Sequence, residues 1–490
     1  MNARGSTDVR VNSVEGRTVG PVEEVRVCRA CGHIDPVDSR GRCPTCGVFL
    51  EFAIVPRPEA EQLARQRRRR ILRRRVVRLT VLLAVVGGVT IWALGAYFDL
   101  GPSPPSATTS LSASLGPDIW GQIGRTPDNS SFTPEAAPFP QHVAWIFRTS
   151  KPLLASPAVV DPHVYLTTGD GRTIALDRLT GQPVWEFYSG WLSSSTPAVV
   201  GESVIFAIRP GRVVALNRQT GARLWDTPVQ SPIVASPVVV NGTVYIGAAD
   251  KHLYALDAAT GRQRWAFPTQ DWIVSAVAYA GDRVIVASQD SRIHVVGAET
   301  GRRRLLYETG IGRHIGAAPA VQGDRAYFVS VGGRVWAIDW RDTTYPLERG
   351  LLFWQTNLYL WGFLSTPPVQ KGSVWSRRIG GDVRHTPALA HDAVYVTTSR
   401  GKVVALDAAT GAERWQADVG VNITAAPTVA GATVLIGTES GVVFGLDAHT
   451  GERRWEFKTE GKISGSPIVA GDTMYVASHD GALYAVTGSE

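Results

Sequence analysis

Four cysteines carry the chain's most specific chemistry. Cys28, Cys31, Cys43 and Cys46 form two Cys-x-x-Cys pairs within VCRACGHIDPVDSRGRCPTCG, eleven residues apart. A glycine follows each pair (Gly32 and Gly47), which lets backbone N–H groups approach thiolate sulfurs. Four thiolates close a tetrahedral site, and soft sulfur ligands favour zinc. Such a closed site leaves no open position for catalysis, so a structural or docking role is expected. His33 stands beside the first pair, but with four sulfurs available it reads as a surface residue. No cysteine follows Cys46. The long remainder is large enough to bury its own core without disulfides.

The paired spacing resembles a zinc ribbon over about residues 25–52, after a flexible stretch at 1–24. A rubredoxin-like iron site uses similar knuckles and is the alternative. Thiolate ligands stay reduced in the cytoplasm, which suits the charge pattern that follows. Residues 1–100 contain 17 Arg and no Lys against 10 Asp and Glu, whereas 101–490 balance 33 against 33. The basic character therefore belongs to the N-terminal region, and the large domain has no net charge pointing to nucleic acid.

Nine of those arginines lie in RQRRRRILRRRVVR (65–78), part of a basic juxtamembrane segment at 53–78. Twenty uncharged residues follow, Leu79 to Phe98. As a helix they cover roughly 30 Å of hydrocarbon. Trp92 and Tyr97 sit near the far end, and no Arg or Lys recurs before Arg125. The asymmetry predicts a single-pass plasma-membrane protein with a cytoplasmic N-terminus and residues 99–490 outside the cytoplasm. The arginines themselves suit anionic headgroups. Residues 99–118 are rich in Pro, Ser, Thr and Ala and read as a tether.

The rest is a repeat. Tryptophans recur at Trp145, Trp185, Trp225 and Trp265, and again at Trp375, Trp415 and Trp455; Leu305 holds the register between. Thr-Gly pairs keep time at Gly181, Gly221, Gly261, Gly301, Gly411 and Gly451. Prolines do so at Pro157, Pro197, Pro237, Pro319, Pro387, Pro427 and Pro467, with Val277 in the remaining slot. That register counts eight units. Each unit holds four short β-branched, aromatic runs bounded by tight turns, which predicts four strands. The fold class expected is all-β: an eight-bladed β-propeller of four-stranded blades over 119–490, behind the small metal domain and one transmembrane helix.

The repeat resembles the PQQ-like, or quinoprotein-type, propeller repeat. TVYIGAADKHLYALDAATGRQRWAF (243–267) and TPALAHDAVYVTTSRGKVVALDAATGAERW (386–415) carry the likeness, and IWGQIGRTPDNSSFTPE (119–135) looks like the lead-in that often precedes such propellers. Repeated residues should build blades. The tryptophan ring wedges between blades while its N–H reaches a carbonyl. Asp177, Asp257, Asp407 and Asp447 accept backbone N–H groups in the next turn. The last unit stops after its third strand, and HVAWIF (142–147) is the spare outer strand expected to complete it.

Dehydrogenases of this family use pyrroloquinoline quinone (PQQ). The resemblance implies for them adjacent bonded cysteines, a carboxylate-bound cation, a catalytic Asp and long loops around the quinone. This chain has no cysteine in the repeat region, mostly two-residue turns such as Asp170-Gly171 and Asp480-Gly481, and no visible carboxylate cluster. PQQ is therefore not expected, and no catalytic residue is assigned. Other members serve as platforms for proteins, peptides or polysaccharides. One is the scaffold subunit of the outer-membrane β-barrel assembly machinery, lipid-anchored at a cysteine that this chain replaces with a span, so its role does not carry over. The expected function is a membrane-anchored, non-enzymatic binding or scaffold protein with protein or cell-envelope partners. The alternatives are a PQQ-dependent dehydrogenase and a transmembrane sensor with a docking ribbon.

Partner-binding candidates fall where the repeat varies. Loops joining one blade to the next carry Trp191, Trp272, Arg313, His314 and Asp382, against a competing reading as ordinary solvated loops. A 30-residue insertion at 341–370 carries Phe353, Trp354 and Trp361. It reads as a hairpin on its own blade, a partner patch or a membrane-dipping loop, on the face opposite those varied loops.

Overall fold

A computed structural model describes residues 23–36, 42–46, 52–97, 119–229, 231–310, 314–344 and 347–488. The expected tether and nearly all of the flexible N-terminus lie outside these residues, as does Arg313. The chain divides into two compact units, Met1–Gly95 and Ala96–Glu490.

In the first unit, β1 (Glu24–Cys28) pairs antiparallel with β2 (Ile34–Pro36) on one side and β3 (Phe52–Pro56) on the other. Alternation along β1 turns Val25 and Val27 inward, where they pack on Ala60 and Leu63. Those two residues belong to α1 (Arg57–Tyr97), a single 41-residue helix. At about 1.5 Å per residue it is about 60 Å long. Its Arg57–Trp92 stretch is long and apolar enough to cross a membrane. The sheet thus reaches Pro56, past the expected ribbon boundary at 52, and one helix runs through both the basic and the apolar segments. Gly32 is required where the knuckle meets this helix. Its φ is +75°, and a Cβ there would stand 3.1 Å from Ala64 Cα.

The second unit consists, among the described residues, of eight antiparallel sheets. Sheets 1 to 4 occupy 158–188, 198–228, 238–268 and 278–308. Sheets 5 to 7 occupy 320–378, 388–418 and 428–458, and sheet 8 runs from 468 to 487. Central strands are buried on both faces, as in Thr243–Gly247, because a neighbouring sheet covers each side. Outer strands alternate instead, as in His142–Arg148. The apolar clusters join successive sheets around a cycle. One of them packs Val164, Leu166 and Leu176 of sheet 1 against Tyr475, Leu483 and Ala485 of sheet 8.

Before the first sheet come β4 (Phe132–Thr133), which lies parallel to the inner strand of sheet 7, and β5 (His142–Arg148). β5 is the outer strand of sheet 8. It pairs with Ala482–Thr487, Trp145 opposite Ala485, as the strand count predicts. The tryptophans also do what the sequence predicts. Indole Nε1 of Trp145 donates to Arg178 O at 3.0 Å, Trp185 to Arg218 O at 2.8 Å and Trp265 to Ala298 O at 2.9 Å. Asp177 accepts from the backbone N–H groups of Leu179 and Thr180. The turn glycine has a second purpose that periodicity does not reveal. A Cβ on Gly181 would lie 2.5 Å from the Trp145 ring, and Gly221, Gly261, Gly301, Gly411 and Gly451 stand likewise against Trp185, Trp225, Trp265, Trp375 and Trp415, so these six indoles stack on the next sheet's glycine.

The lead-in lines the inner edges of the sheets. Trp120 exchanges backbone bonds with Val159 of sheet 1, and Gly121 O accepts from Val199 of sheet 2. Gln122 Oε1 accepts from Val239 N at 3.0 Å. Pro127, Asp128, Ser130 and Ser131 then offer carbonyls to Tyr279, Val321, Leu389 and Val429 of sheets 4 to 7. Innermost strands would otherwise leave these N–H groups unpaired. Buried Arg125 closes the segment on itself, its Nε donating to Ile119 O at 3.1 Å, with Glu135 3.9 Å away.

The insertion follows the third strand of sheet 5, and its described residues form no hairpin. It contains α2 (Glu348–Leu360), a thirteen-residue helix. Its Leu, Phe, Trp and Tyr residues lack the strict two-residue alternation of a strand.

Candidate functional site

The four cysteines come together. Cys28 Sγ lies 3.6 Å from Cys46 Sγ, Cys31 Sγ lies 3.5 Å from Cys43 Sγ, and all four sulfurs fall within 4.8 Å of one another. A tetrahedron of sulfurs about 2.3 Å from zinc has edges of about 3.8 Å, so the donor set fits that ion. The cysteines form no disulfide. Gly32 N donates to Cys28 O, and Cys28 N to His33 O, both at 2.8 Å, which sets the first knuckle. Burial pushes the Cys31 thiol up to about 12. Burial also opposes ionisation of Cys43, but the backbone N–H groups of Cys46 and Thr45 outweigh it and bring that thiol down to about 6. A bound cation would hold all four as thiolates. His33 pairs with Asp35 at 3.1 Å.

The loop candidates Trp191, Trp272, His314 and Asp382 share one face. In every sheet, a backbone N–H of the turn between second and third strands donates to the loop that enters from the preceding sheet. The acceptors are the carbonyls of Pro152, Leu192, Pro232, Trp272, His314, Asp382, Asn422 and Lys462, at 2.8–3.1 Å. One backbone bond thus recurs eight times under eight side-chain environments. Trp272 and His314 flank the same turn, since His314 Nδ1 lies 2.8 Å from Gln289 O and Gln289 N donates to Trp272 O. Asp382 Oδ2 accepts from Arg384 Nε at 2.7 Å.

Trp191 stands apart from these. It is 55% exposed and rims a groove of about 600 Å³ between sheets 1 and 2. Phe187, Tyr188, Ile208 and Val214 supply apolar wall. Polar character comes from Arg223 and from the Arg212–Asp226 pair at 2.8 Å. An aromatic rim over a mixed-charge floor can take a polar ligand with apolar parts, such as a peptide or a sugar chain. Tyr188, more exposed still, escaped sequence reasoning because it sits in an outer strand. Phe353, Trp354 and Trp361 lie on the opposite face, on or just after α2, and are all exposed.

Where the sheets converge, a cup of about 230 Å³ opens on the varied face. Small residues such as Ala155, Ser194, Ser236, Ser275 and Gly465 line most of it, and Arg384 and His385 are its charged and titratable members. His385 Nδ1 lies 3.3 Å from Thr397 Oγ1, and burial lowers its imidazole to about 4, so it is neutral at neutral pH. Among the described residues, the hydroxyls of Ser194 and Ser275 have no partner. Neither Asp nor Glu lines the cup. Its wall therefore does not fit a quinone bound beside a carboxylate-held cation.

This architecture has relatives. A protein family described as outer membrane protein assembly factor BamB matches residues 140–249, 190–271, 249–344 and 348–490. The chain belongs to this BamB-like family of PQQ-type repeat proteins. Comparison with curated proteins finds no match. Among solved structures, BamB from Moraxella catarrhalis is 18% identical, with a TM-score of 0.57 over 71% of this chain and 97% of its own. The quinohemoprotein alcohol dehydrogenase from Comamonas testosteroni is 15% identical, with a TM-score of 0.60 over 76% of this chain and 81% of its own. A europium-containing methanol dehydrogenase is 14% identical, with a TM-score of 0.59 over 74% and 90%. At these identities the likeness is one of fold. The neighbours include an assembly factor and enzymes, so activity must be argued from the site.

Proposed function

We propose that this protein is a membrane-tethered, non-enzymatic scaffold. In this reading the eight sheets are the blades of a closed eight-bladed propeller. α1 is its single span in the plasma membrane, zinc binds the four cysteines on the cytoplasmic side, and the propeller works outside the cytoplasm. The partner is a protein, peptide or cell-envelope polysaccharide. The observation that carries the proposal is the groove at Trp191, where exposed aromatics meet Arg212, Arg223 and Asp226. The cup's acid-free wall supports a binding role over quinone chemistry.

A photo-crosslinking amino acid placed at Tyr188, in the full chain in intact cells, tests this reading. A discrete adduct that disappears when Trp191→Ala is added is the expected result. An adduct insensitive to Trp191, or none, refutes the groove as the docking site. Dye-linked alcohol or sugar oxidation after adding PQQ and calcium would refute the non-enzymatic reading.

A further inference from the structure

Helix α2 is unlike every other connection between third and fourth strands. Its counterparts are tight Thr-Gly turns, whereas here thirteen helical residues and an apolar tail stand out from the sheet. Leu351, Phe353, Trp354, Leu360, Trp361 and Phe363 are each more than half exposed. At 100° per residue they do not form one narrow stripe, as a helix laid in a protein groove would. No charged residue occurs between Leu351 and Gln370. Two of the helix's polar side chains satisfy themselves: Thr356 Oγ1 donates to Leu352 O at 2.7 Å, and Asn357 Nδ2 to Phe353 O at 2.8 Å. Such back-bonding is what a polar group needs where water is scarce.

The tether enters on the same face. Ile119, the first described residue after it, packs on Val160 and Val199, next to the turns between first and second strands. Those turns and the third-to-fourth connections lie together, since Arg178 N donates to Pro162 O and Ala258 N to Gly242 O. The unit's attachment to its membrane anchor and its most apolar protrusion therefore share one side. Only twenty-one residues, 98–118, separate Tyr97 from Ile119, a reach of at most about 75 Å.

We propose that α2 is an interfacial anchor that lies in the outer leaflet of the bilayer crossed by α1, an inference that rests on α1 being the span. Thirteen residues make about 20 Å of helix, too short to cross about 30 Å of hydrocarbon but suited to lying in the interface, where tryptophan and tyrosine are favoured. Docked this way, the propeller turns Trp191 and the cup away from the membrane, towards partners.

The full chain, reconstituted in phosphatidylcholine nanodiscs containing a lipid with a photoreactive acyl chain, provides the test. After irradiation and trypsin digestion, lipid adducts are expected on the peptide 79–125, from α1, and on 350–371, from α2, but not on 179–212, which carries Trp191. Phe353→Asp, Trp354→Asp and Trp361→Asp together should cut the 350–371 adduct at least tenfold and leave that of α1 unchanged. Labelled α1 with unlabelled α2, as a protein partner or a second copy over α2 would produce, overturns the inference and leaves the span standing. Unlabelled α1 overturns the span itself. Equal labelling of 179–212 also overturns the inference, because contact would then not be selective for α2.

Discussion

Trp145→Ala, in the full chain, tests whether the N-terminal strand closes the ring. Trp145 is separated in sequence from the sheet it completes, with Ala485 its opposite residue. Its ring covers Gly181 and lies 6.0 Å from the Tyr475 ring, at the junction between the last sheet and the first. Truncation leaves a cavity there and removes the indole donor to Arg178 O, at a cost of about 3–5 kcal/mol. A unit of 395 residues (96–490) unfolds with an entropy near 0.8 kcal/mol/K, so the loss corresponds to about 4–6 °C in Tm. Melting followed by circular dichroism should show this drop. Trp265→Ala, which breaks the same contacts within a continuous run of sheets, should match it, and exposed Trp191→Ala should shift Tm by less than 1 °C. If Trp145→Ala melts like Trp191→Ala while Trp265→Ala does not, β5 is dispensable and the ring closes without it.

Three further outcomes follow from the same structure. Elemental analysis of the full chain in detergent should find one zinc per protein, lost in Cys28→Ser; iron or no metal would refute the assignment. Protease added outside protoplasts should release the propeller and spare residues 1–78, and a protected propeller would refute the proposed orientation. His385 is held neutral down to about pH 4 against 6.5 for an ordinary imidazole. As pH falls between those values the unfolded chain gains a proton that the folded one refuses, so stability declines towards acid and levels off below about pH 4. Urea unfolding at pH 7 and pH 4.5 should show His385→Gln losing roughly 2 kcal/mol less between the two than the parent; an equal loss would show that His385 is not responsible.

Periodicity made the blades legible because each repeated residue serves a local contact that its neighbours cannot. The 40-residue beat of Trp185, Trp225 and Trp265 reflects one indole per junction. The missing outer strand at the C-terminus pointed to HVAWIF by simple counting. The cysteine cluster was legible for a similar reason, since four ligands at paired spacing have few other uses. What sequence did not show was tertiary. Nothing in the composition of 119–135 reveals that it supplies acceptors to successive inner strands, because carbonyls are common to all residues. The helix in the insertion was missed because aromatic, uncharged stretches suit strand and helix alike. The Trp191 groove needed the third dimension, since Tyr188, Arg212 and Asp226 come from three strands of two sheets.

The contrast between repeated and unrepeated positions locates function. Gly181, Trp185 and Asp177 have counterparts in most of the sheets that make the same contacts, so none of them can distinguish one partner from another. The turn acceptors show the opposite pattern on an identical backbone: one hydrogen bond holds each loop in place, and the side chains run from proline and leucine to tryptophan, histidine, aspartate and lysine. A rigid frame with variable loops is how a repeat protein acquires an address. The same logic applies to the cup, where Arg384 and His385 interrupt an otherwise small-residue wall, and to α2, which replaces a tight turn. The second unit is therefore asymmetric in two senses, with varied loops on one face and the apolar helix α2 on the other. In the proposed reading, partner recognition and membrane attachment then act without competing for surface.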